Sequence, residues 1–316
     1  MVRGVKLVFC GTPQFAVPTL EALLAAGHDI SLVVTQPDRA AGRTQQLTPP
    51  PVKQTALAAG LSVTQPEKIR NNAEFRRQLE AISPEAIVVV AYGRIIPPWM
   101  LSLPRLGCVN LHASLLPKYR GAAPIQWAVA MGETVTGNTT MLLEEGLDTG
   151  PVLLQQTSPI APEQTASDLF GGLAQAGAPL VVETLAGLAN GTILAKPQEH
   201  SLATHAPILN REDGRMEFAA RTATELKNRL RGFQPWPGAF TTLEGKKLIV
   251  HRMEVGEPSL RAAAPGQIRV ENQRLFAACA QNTCLELLEI QLEGKKRLTA
   301  AEFLRGTHLL PDARLG

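Results

Sequence analysis

Short, wholly apolar runs alternate along the first part of the chain with stretches whose apolar positions recur every three or four residues. Val5 to Cys10 (VKLVFC) is a β-branched run that stops at Gly11, the pattern of a buried strand. A helix is predicted next, with Pro18 in its first turn, Leu20, Leu23 and Leu24 on one face, and Gly27 at its end. Ile30 to Thr35 and Ala86 to Ala91 read as further strands, with a helix over Ala73 to Ala81 between them. Val109 to His112 alternates as a strand end does, Val152 to Gln155 adds another strand, and Ala166 to Ala189 is strongly helical. Strands alternating with helices predict an α/β domain built on a mostly parallel sheet covered on both faces.

Three stretches depart from that rhythm. Gln36 to Pro51 holds Pro37, Gly42 and Pro49-Pro50-Pro51, and is long for an α/β connection, where roughly two to six residues are usual. It carries Arg39 and Arg43, so it reads either as an arm that meets a phosphate-bearing partner or as a solvated loop. The segment from Gly191 to Pro207 is polar, lacks periodicity and reads as an interdomain linker. Beyond it, after a helical stretch from Ala223 to Leu230, short runs follow at hairpin spacing: Ala239 to Leu243, Lys247 to Val255, Gly266 to Val270, Leu275 to Ala280 and Cys284 to Gln291. These predict a small β-barrel, of which the OB-fold is a common nucleic-acid-binding example.

Composition changes this picture in one respect. The 316 residues carry 31 Lys+Arg against 28 Asp+Glu, a net charge of +3 that names no partner. From Asn210 onward there are 17 cationic against 13 acidic side chains, while residues 1–209 hold 14 against 15, so the excess positive charge belongs to the last third. The longest unbroken apolar runs, such as Ala86 to Ala91, are far shorter than the roughly 20 residues a bilayer span needs. Leu7 to Cys10 is too short for a signal-peptide core, and the chain is read as cytoplasmic with no membrane segment. Cys10, Cys108, Cys279 and Cys284 form no CxxC pair and read as buried thiols, with no metal site. The turn at Gly11 lacks the remaining glycines of a dinucleotide fingerprint and the Gly-Lys-Ser/Thr of a P-loop, which argues against a nucleotide cofactor.

The densest polar cluster is Asn110-Leu111-His112, with Asp148 in Gly-Leu-Asp-Thr-Gly further on. Alternation points Asn110 and His112 to one side of a strand, where an amide and an imidazole can converge on one reacting atom. The amide can stabilise an oxyanion, the imidazole can move a proton near neutral pH, and a carboxylate can orient the imidazole. Such a trio suits acyl transfer to an acceptor that brings its own amine. Each residue also has a structural reading: a packed histidine, a turn-forming asparagine, an aspartate cap. Lys118, Tyr119 and Arg120 read either as solvated loop residues or as a cationic edge for a polyanion. Phe233 and Trp236, among Pro235 and Pro237, read as packing residues at the domain junction, and Lys295 to Arg297 as a solvated turn or a nucleic-acid contact.

Taken with their order along the chain, these motifs carry a resemblance. Phe9-Cys10-Gly11-Thr12-Pro13, Thr35-Gln36-Pro37-Asp38-Arg39 with Ala41-Gly42-Arg43, Asn110 to Pro117 (NLHASLLP), Gly121 to Gln126 (GAAPIQ), Gly146 to Gly150 (GLDTG) and Pro235-Trp236-Pro237 resemble the methionyl-tRNA formyltransferase family over essentially the whole length. The resemblance implies a Rossmann-like formyltransferase domain over 1–190 with an RNA-reading arm at 36–51, a linker over 191–208, and an OB-like tRNA-binding domain over 209–316. It implies transfer of the formyl group of 10-formyltetrahydrofolate to the α-amine of methionyl initiator tRNA by Asn110, His112 and Asp148. Ser114, Leu115, Leu116 and Pro117, with Arg94, Ile95 and Ile96, match segments that contact the folate, as does the stretch from Glu144 to Leu147. Arg39 and Arg43 match the tRNA-reading arm. A monomer without metal, nucleotide cofactor or DNA partner is implied. His205 to Leu209, Met216 to Phe218 and Asn138 depart from the family pattern without touching the trio. Two rivals stay open: an enzyme with the same trio that formylates a small-molecule amine such as glycinamide ribonucleotide or an amino-sugar nucleotide, and an inactive RNA-binding homologue.

Overall fold

The computed structural model describes residues 4–41, 46–257, 263–310 and 313–316. In chain order the elements through the first two thirds are β1 (Lys6–Gly11), α1 (Val17–Ala25), β2 (Asp29–Val34), β3 (Arg39–Ala41), β4 (Gln46–Thr48), α2 (Pro51–Ala58), β5 (Val63–Thr64), α3 (Ala73–Ile82), β6 (Ala86–Val90), α4 (Pro98–Leu101), β7 (Cys108–His112), α5 (Pro124–Ala130), β8 (Val135–Leu142), β9 (Val152–Pro159) and α6 (Ala166–Asn190). After it come α7 (Ala223–Phe233), β10 (Ala239–Leu243), β11 (Lys246–Val255), β12 (Ile268–Glu271), β13 (Arg274–Ala278), β14 (Cys284–Leu292), β15 (Leu298–Thr299) and α8 (Ala300–Gly306). The chain divides into two compact units, one of residues 1–124, 135–159 and 169–207, the other of 125–134, 160–168 and 208–316.

The first unit is built on a seven-stranded sheet ordered β5-β2-β1-β6-β7-β8-β9. The strands from β5 to β7 run parallel, and β8 and β9 add an antiparallel edge. β6 is buried along its full length, which is why it reads as a continuous apolar run, and β7 is equally buried although Asn110 and His112 make its sequence alternate. β8 was not foreseen. Its Val-Thr-Gly-Asn-Thr-Thr sequence looks like a loop, yet Thr136, Asn138, Thr139 and Thr140 are all buried. Partners make this tolerable: Asn138 Nδ2 donates to the Leu173 carbonyl at 2.8 Å, and the hydroxyls of Thr140 and Thr184 lie 2.7 Å apart.

The expected long loop over 36–51 is in part a hairpin. Arg39, Ala40 and Ala41 pair with Thr48, Leu47 and Gln46, and α2 begins at Pro51, where a proline is suited to the first turn. The base of the hairpin is tied down: Lys53 Nζ meets both oxygens of Asp38 at 2.8 and 2.9 Å, and Gln65 Nε2 donates at 2.7 Å to both Asp38 Oδ1 and the Gln36 carbonyl. Hydrogen bonds from Lys53 and then Gln65 hold the Asp38 carboxyl below its ordinary pKa. Arg39 is exposed on the hairpin, and Arg43 lies outside the described residues.

α6, at 25 residues, is long and apolar enough by length and composition to cross a bilayer, and half of that stretch is buried in the protein, as a core helix is. The segment read as a linker is stitched to the first unit. Val152 and Lys196 exchange two backbone hydrogen bonds of 2.8 Å, and Arg120 bridges to His205 in parallel register.

The second unit carries an antiparallel sheet ordered β10-β11-β14-β13-β12, with β15 on β14. Bridges from Leu315 to Leu243 and from Arg314 to Gln267 let the C-terminal residues reach both edges, which gives the barrel-like closure expected of this part of the chain. Leu248, Leu285, Leu287, Ile290 and Ala277 fill its interior at 0% exposure. Phe233 is fully buried, whereas Trp236, expected to pack beside it, is 56% exposed in the loop after α7. α8 was also missed, although Thr299 and Glu302 form the reciprocal cap that starts it.

Candidate active site

The carboxyl end of β7 presents Asn110 and His112 on one side of the strand, two residues apart and both nearly buried. Neighbouring strands fix their register. Asn110 lies opposite Val89 of β6 and Met141 of β8, and His112 opposite Thr139. Among the described residues nothing hydrogen-bonds the Asn110 side-chain amide, so its donors are left for a bound group. His112 is held. Its Nε2 lies 2.9 Å from the Tyr119 carbonyl, which can only accept, so Nε2 carries a proton. Nδ1 faces Asp148 Oδ2 at 3.6 Å, an ion-pair separation too long for a hydrogen bond. Nδ1 is therefore the ring nitrogen able to take or give a proton, with a carboxylate alongside to stabilise the cation that results.

Asp148 sits in the loop between β8 and β9 with φ +51°, a left-handed conformation that aspartate tolerates better than most residues. Its Oδ2 accepts from the Gly121 backbone N–H at 2.8 Å. Gly121 has φ +127°, and a Cβ there would lie 2.5 Å from the Ala206 carbonyl oxygen. Only glycine fits on both counts. Gly121→Ala is expected to displace the N–H that fixes Asp148 and to lower both melting temperature and turnover, whereas Gly245→Ala, also at positive φ but with nothing within 4 Å, is expected to lower melting temperature with little effect on turnover. Equal turnover in the two variants would argue that the Gly121 contact is dispensable.

The loop from Ser114 to Pro117 is pinned from beneath. Thr139 Oγ1 donates to the Ser114 carbonyl at 2.6 Å and accepts from the Leu116 N–H at 3.1 Å, and Gln155 Nε2 reaches the Leu116 carbonyl at 2.9 Å. The Leu116-Pro117 bond is cis. Ser114 is fully buried with its hydroxyl committed to the Lys118 carbonyl, and Leu116 is buried, while Leu115 and Pro117 are partly exposed. The other sequence-matched stretch divides similarly. Ile95 is 85% exposed and Ile96 buried; Arg94 donates to Gln36 Oε1 at 3.1 Å and to the Glu67 carbonyl. Leu147 is 65% exposed, so two large apolar side chains, Ile95 and Leu147, stand open to solvent on the segments read as folate-contacting. Tyr92, by contrast, is buried, and burial pushes its phenol above the ordinary value. Cys10 and Cys108 are buried free thiols, burial raising the first well above its usual value and the second to about 12, so neither is a thiolate nucleophile.

Arg120 does not form a cationic edge. It is buried, and its Nε and Nη2 donate to Gln198 Oε1 at 3.1 and 2.7 Å. Thr139, Gln155 and Gln198 were not singled out from the sequence, and Tyr119 was read only as a loop residue or part of a cationic edge. The first three act through a hydroxyl or an amide on buried strands or irregular segments, and Tyr119 acts through its backbone carbonyl, which no side-chain motif reveals.

An amide and an imidazole beyond the end of a parallel strand are groups able to bind an oxyanion and move a proton, the chemistry of an acyl-transferring enzyme. Residues 5–185 match the Formyl transferase family and residues 208–308 the Formyl transferase, C-terminal domain family. A methionyl-tRNA formyltransferase of Acidobacterium capsulatum is 67% identical over 98% of this chain and 99% of its own, and one of Koribacter versatilis is 60% identical over 95% of each. The crystal structure of an N-formyltransferase from Helicobacter canadensis with folinic acid and dTDP-3-aminofucose shares the fold, with a TM-score of 0.65 at 18% identity over 90% of this chain and 98% of that one. The chain belongs to the methionyl-tRNA formyltransferase family.

Proposed function

We propose that this chain transfers the formyl group of 10-formyltetrahydrofolate to the α-amine of methionine esterified to initiator tRNA, ahead of translation initiation. The observation that carries the chemistry is the meeting of Asn110, His112 and Asp148 at the end of β7, with the Asn110 amide unengaged and Nδ1 of His112 beside Asp148 Oδ2. The neutral amine attacks the formyl carbon. Asn110 donates to the oxyanion that forms, and His112 takes the amine proton at Nδ1 and returns it as N10 of the folate leaves. Asp148 stabilises the imidazolium in between. Exposed Ile95 and Leu147 offer apolar surface to the pterin ring, with Ser114 to Pro117, Arg94 and Ile96 shaping the same pocket largely through backbone.

The acceptor assignment is supported by full-length relatives at 60 and 67% identity named for that reaction. Arg39 and Arg43 belong to the arm that reads the acceptor stem. Residues 1–190 hold the catalytic work, 191–208 join it to the rest, and the net positive 209–316 region grips tRNA phosphates, adding affinity and salt dependence rather than sequence choice. The enzyme acts as a cytoplasmic monomer without a metal or nucleotide cofactor. Incubation with 10-formyltetrahydrofolate and, separately, charged initiator tRNA, charged elongator methionine tRNA and glycinamide ribonucleotide is expected to formylate the first alone. Formylation of the ribonucleotide instead would move the enzyme to small-molecule amines, and formylation of none would leave an inactive RNA-binding protein.

A further inference from the structure

The segment between Lys196 and Ala206 does more than connect. Because Val152 and Lys196 pair antiparallel, continuing the register sets Gln198 opposite Gly150, beside the turn that holds Asp148. The Gln198 side chain is 93% buried, at 7% exposure, and its amide is fully used. Nε2 donates to the carbonyls of Asp148 at 2.9 Å and Gly150 at 2.7 Å, and Oε1 accepts both Nε and Nη2 of Arg120. Arg120 Nη2 also lies 3.2 Å from Nδ1 of His200.

Arg120 stands between the two backbone groups that hold the catalytic trio. Tyr119, before it, gives the carbonyl that anchors His112, and Gly121, after it, gives the N–H that anchors Asp148. The same segment grips this tripeptide along its backbone: Thr204 Oγ1 accepts from the Tyr119 N–H at 2.8 Å, the Thr204 carbonyl from the Arg120 N–H at 2.9 Å, and the Ala206 N–H donates to the Arg120 carbonyl at 2.7 Å. Two separate loops, 119–121 and 148–150, are thus joined through one glutamine amide.

We infer that Gln198 and Arg120 are positioning residues: a brace, carried on the 196–206 segment, that sets the Asp148 carboxylate against His112. The inference rests on the formyl-transfer reading of the site, and its consequence is specific. The brace acts on turnover through Asp148, and not on the capture of either substrate.

Gln198→Glu is the discriminating variant, because it keeps the shape and the contact with Arg120 but replaces the two donors that hold the Asp148 and Gly150 carbonyls with a charged oxygen that can only accept. Its kcat for formylation of initiator methionyl-tRNA is expected to fall about tenfold or more, with both KM values within about twofold of wild type. In an Asp148→Ala background the same change is expected to cost less than about threefold, since the group it positions is gone. Gln198→Leu, which also frees Arg120, is expected to follow the same pattern. Hydrogen exchange at the Gly121 amide, measured on the folded full-length chain without substrate, is expected to speed up at least about tenfold in Gln198→Glu as the bond to Asp148 Oδ2 loosens. Wild-type turnover of Gln198→Glu, a loss confined to KM, equal losses in the two backgrounds, or unchanged Gly121 exchange would each overturn the brace. A wild-type enzyme that formylates no charged tRNA would instead count against the functional reading, and the Gly121 exchange would still decide the brace.

Discussion

Replacing His112 with alanine is expected to lower single-turnover formyl transfer by about 10² to 10⁴-fold, the range in which a positioned proton-transfer group contributes. The geometry says why no neighbour should substitute. Nε2 is spent on the Tyr119 carbonyl, so the working proton passes through Nδ1, and that nitrogen disappears with the ring. Asp148 Oδ2 lies beside it but is already engaged by the Gly121 N–H, so it does not stand in for the lost nitrogen. Asn110→Ala should lose about 10² to 10³-fold, as an oxyanion donor does, with 10-formyltetrahydrofolate binding retained. Quench-flow measurement of the first turnover separates chemistry from product release. A loss below about tenfold for either variant would mean that the proton or the oxyanion is handled elsewhere, and the roles assigned to β7 would fall.

Asn110 and His112 stand out as candidates because they sit where sequence patterns are strongest, whereas Asp148 lies in the loop between β8 and β9. β7 is a buried parallel strand, its end is marked by a change from apolar to polar, and Asn110 and His112 fall on one side by strand alternation alone. The same logic exposed β1, β2 and β6. It failed at β8, where the buried Asn138, Thr139 and Thr140 find hydrogen bonds that only the folded chain supplies, so the local sequence reads as surface. It is silent on a further feature of residues 191–207. A polar, proline-containing stretch without periodicity satisfies every criterion for a tether, yet isolated bridges to Val152 and Arg120 hold it against the site. Gln198 could not have been singled out, since its role depends on two carbonyls and a guanidinium that come from loops 48 to 78 positions away in the chain. Arg120 was misread for a related reason. A cation beside a substrate site suggests an anion partner, and here the partner is a neutral amide inside the protein.

Arg43→Ala is expected to separate the two substrates. If the arm reads the acceptor stem, kcat/KM for initiator methionyl-tRNA should fall by about 10 to 100-fold, the discrimination one well-placed base-edge contact supplies, while folate affinity stays within about twofold. Intact A-form RNA hides its base edges in a deep, narrow major groove, so an arm of this kind gains a foothold only where the helix end is unpaired. The described part of the arm suits that task. Asp38, Lys53 and Gln65 fix its base, and the β3–β4 hairpin carries exposed Arg39 and, at 70% exposure, Leu47 outward from there. A fixed base limits the orientations the arm samples, which favours discrimination over simple adhesion. The comparison that decides is between initiator tRNA and a version whose first acceptor-stem position is paired. Wild type should prefer the unpaired form strongly, and Arg43→Ala should lose that preference, whereas Arg39→Ala, if it meets only phosphate, should weaken both forms alike and flatten the salt dependence. Loss of folate binding in step with tRNA turnover would mean that Arg43 supports the catalytic domain rather than reading RNA.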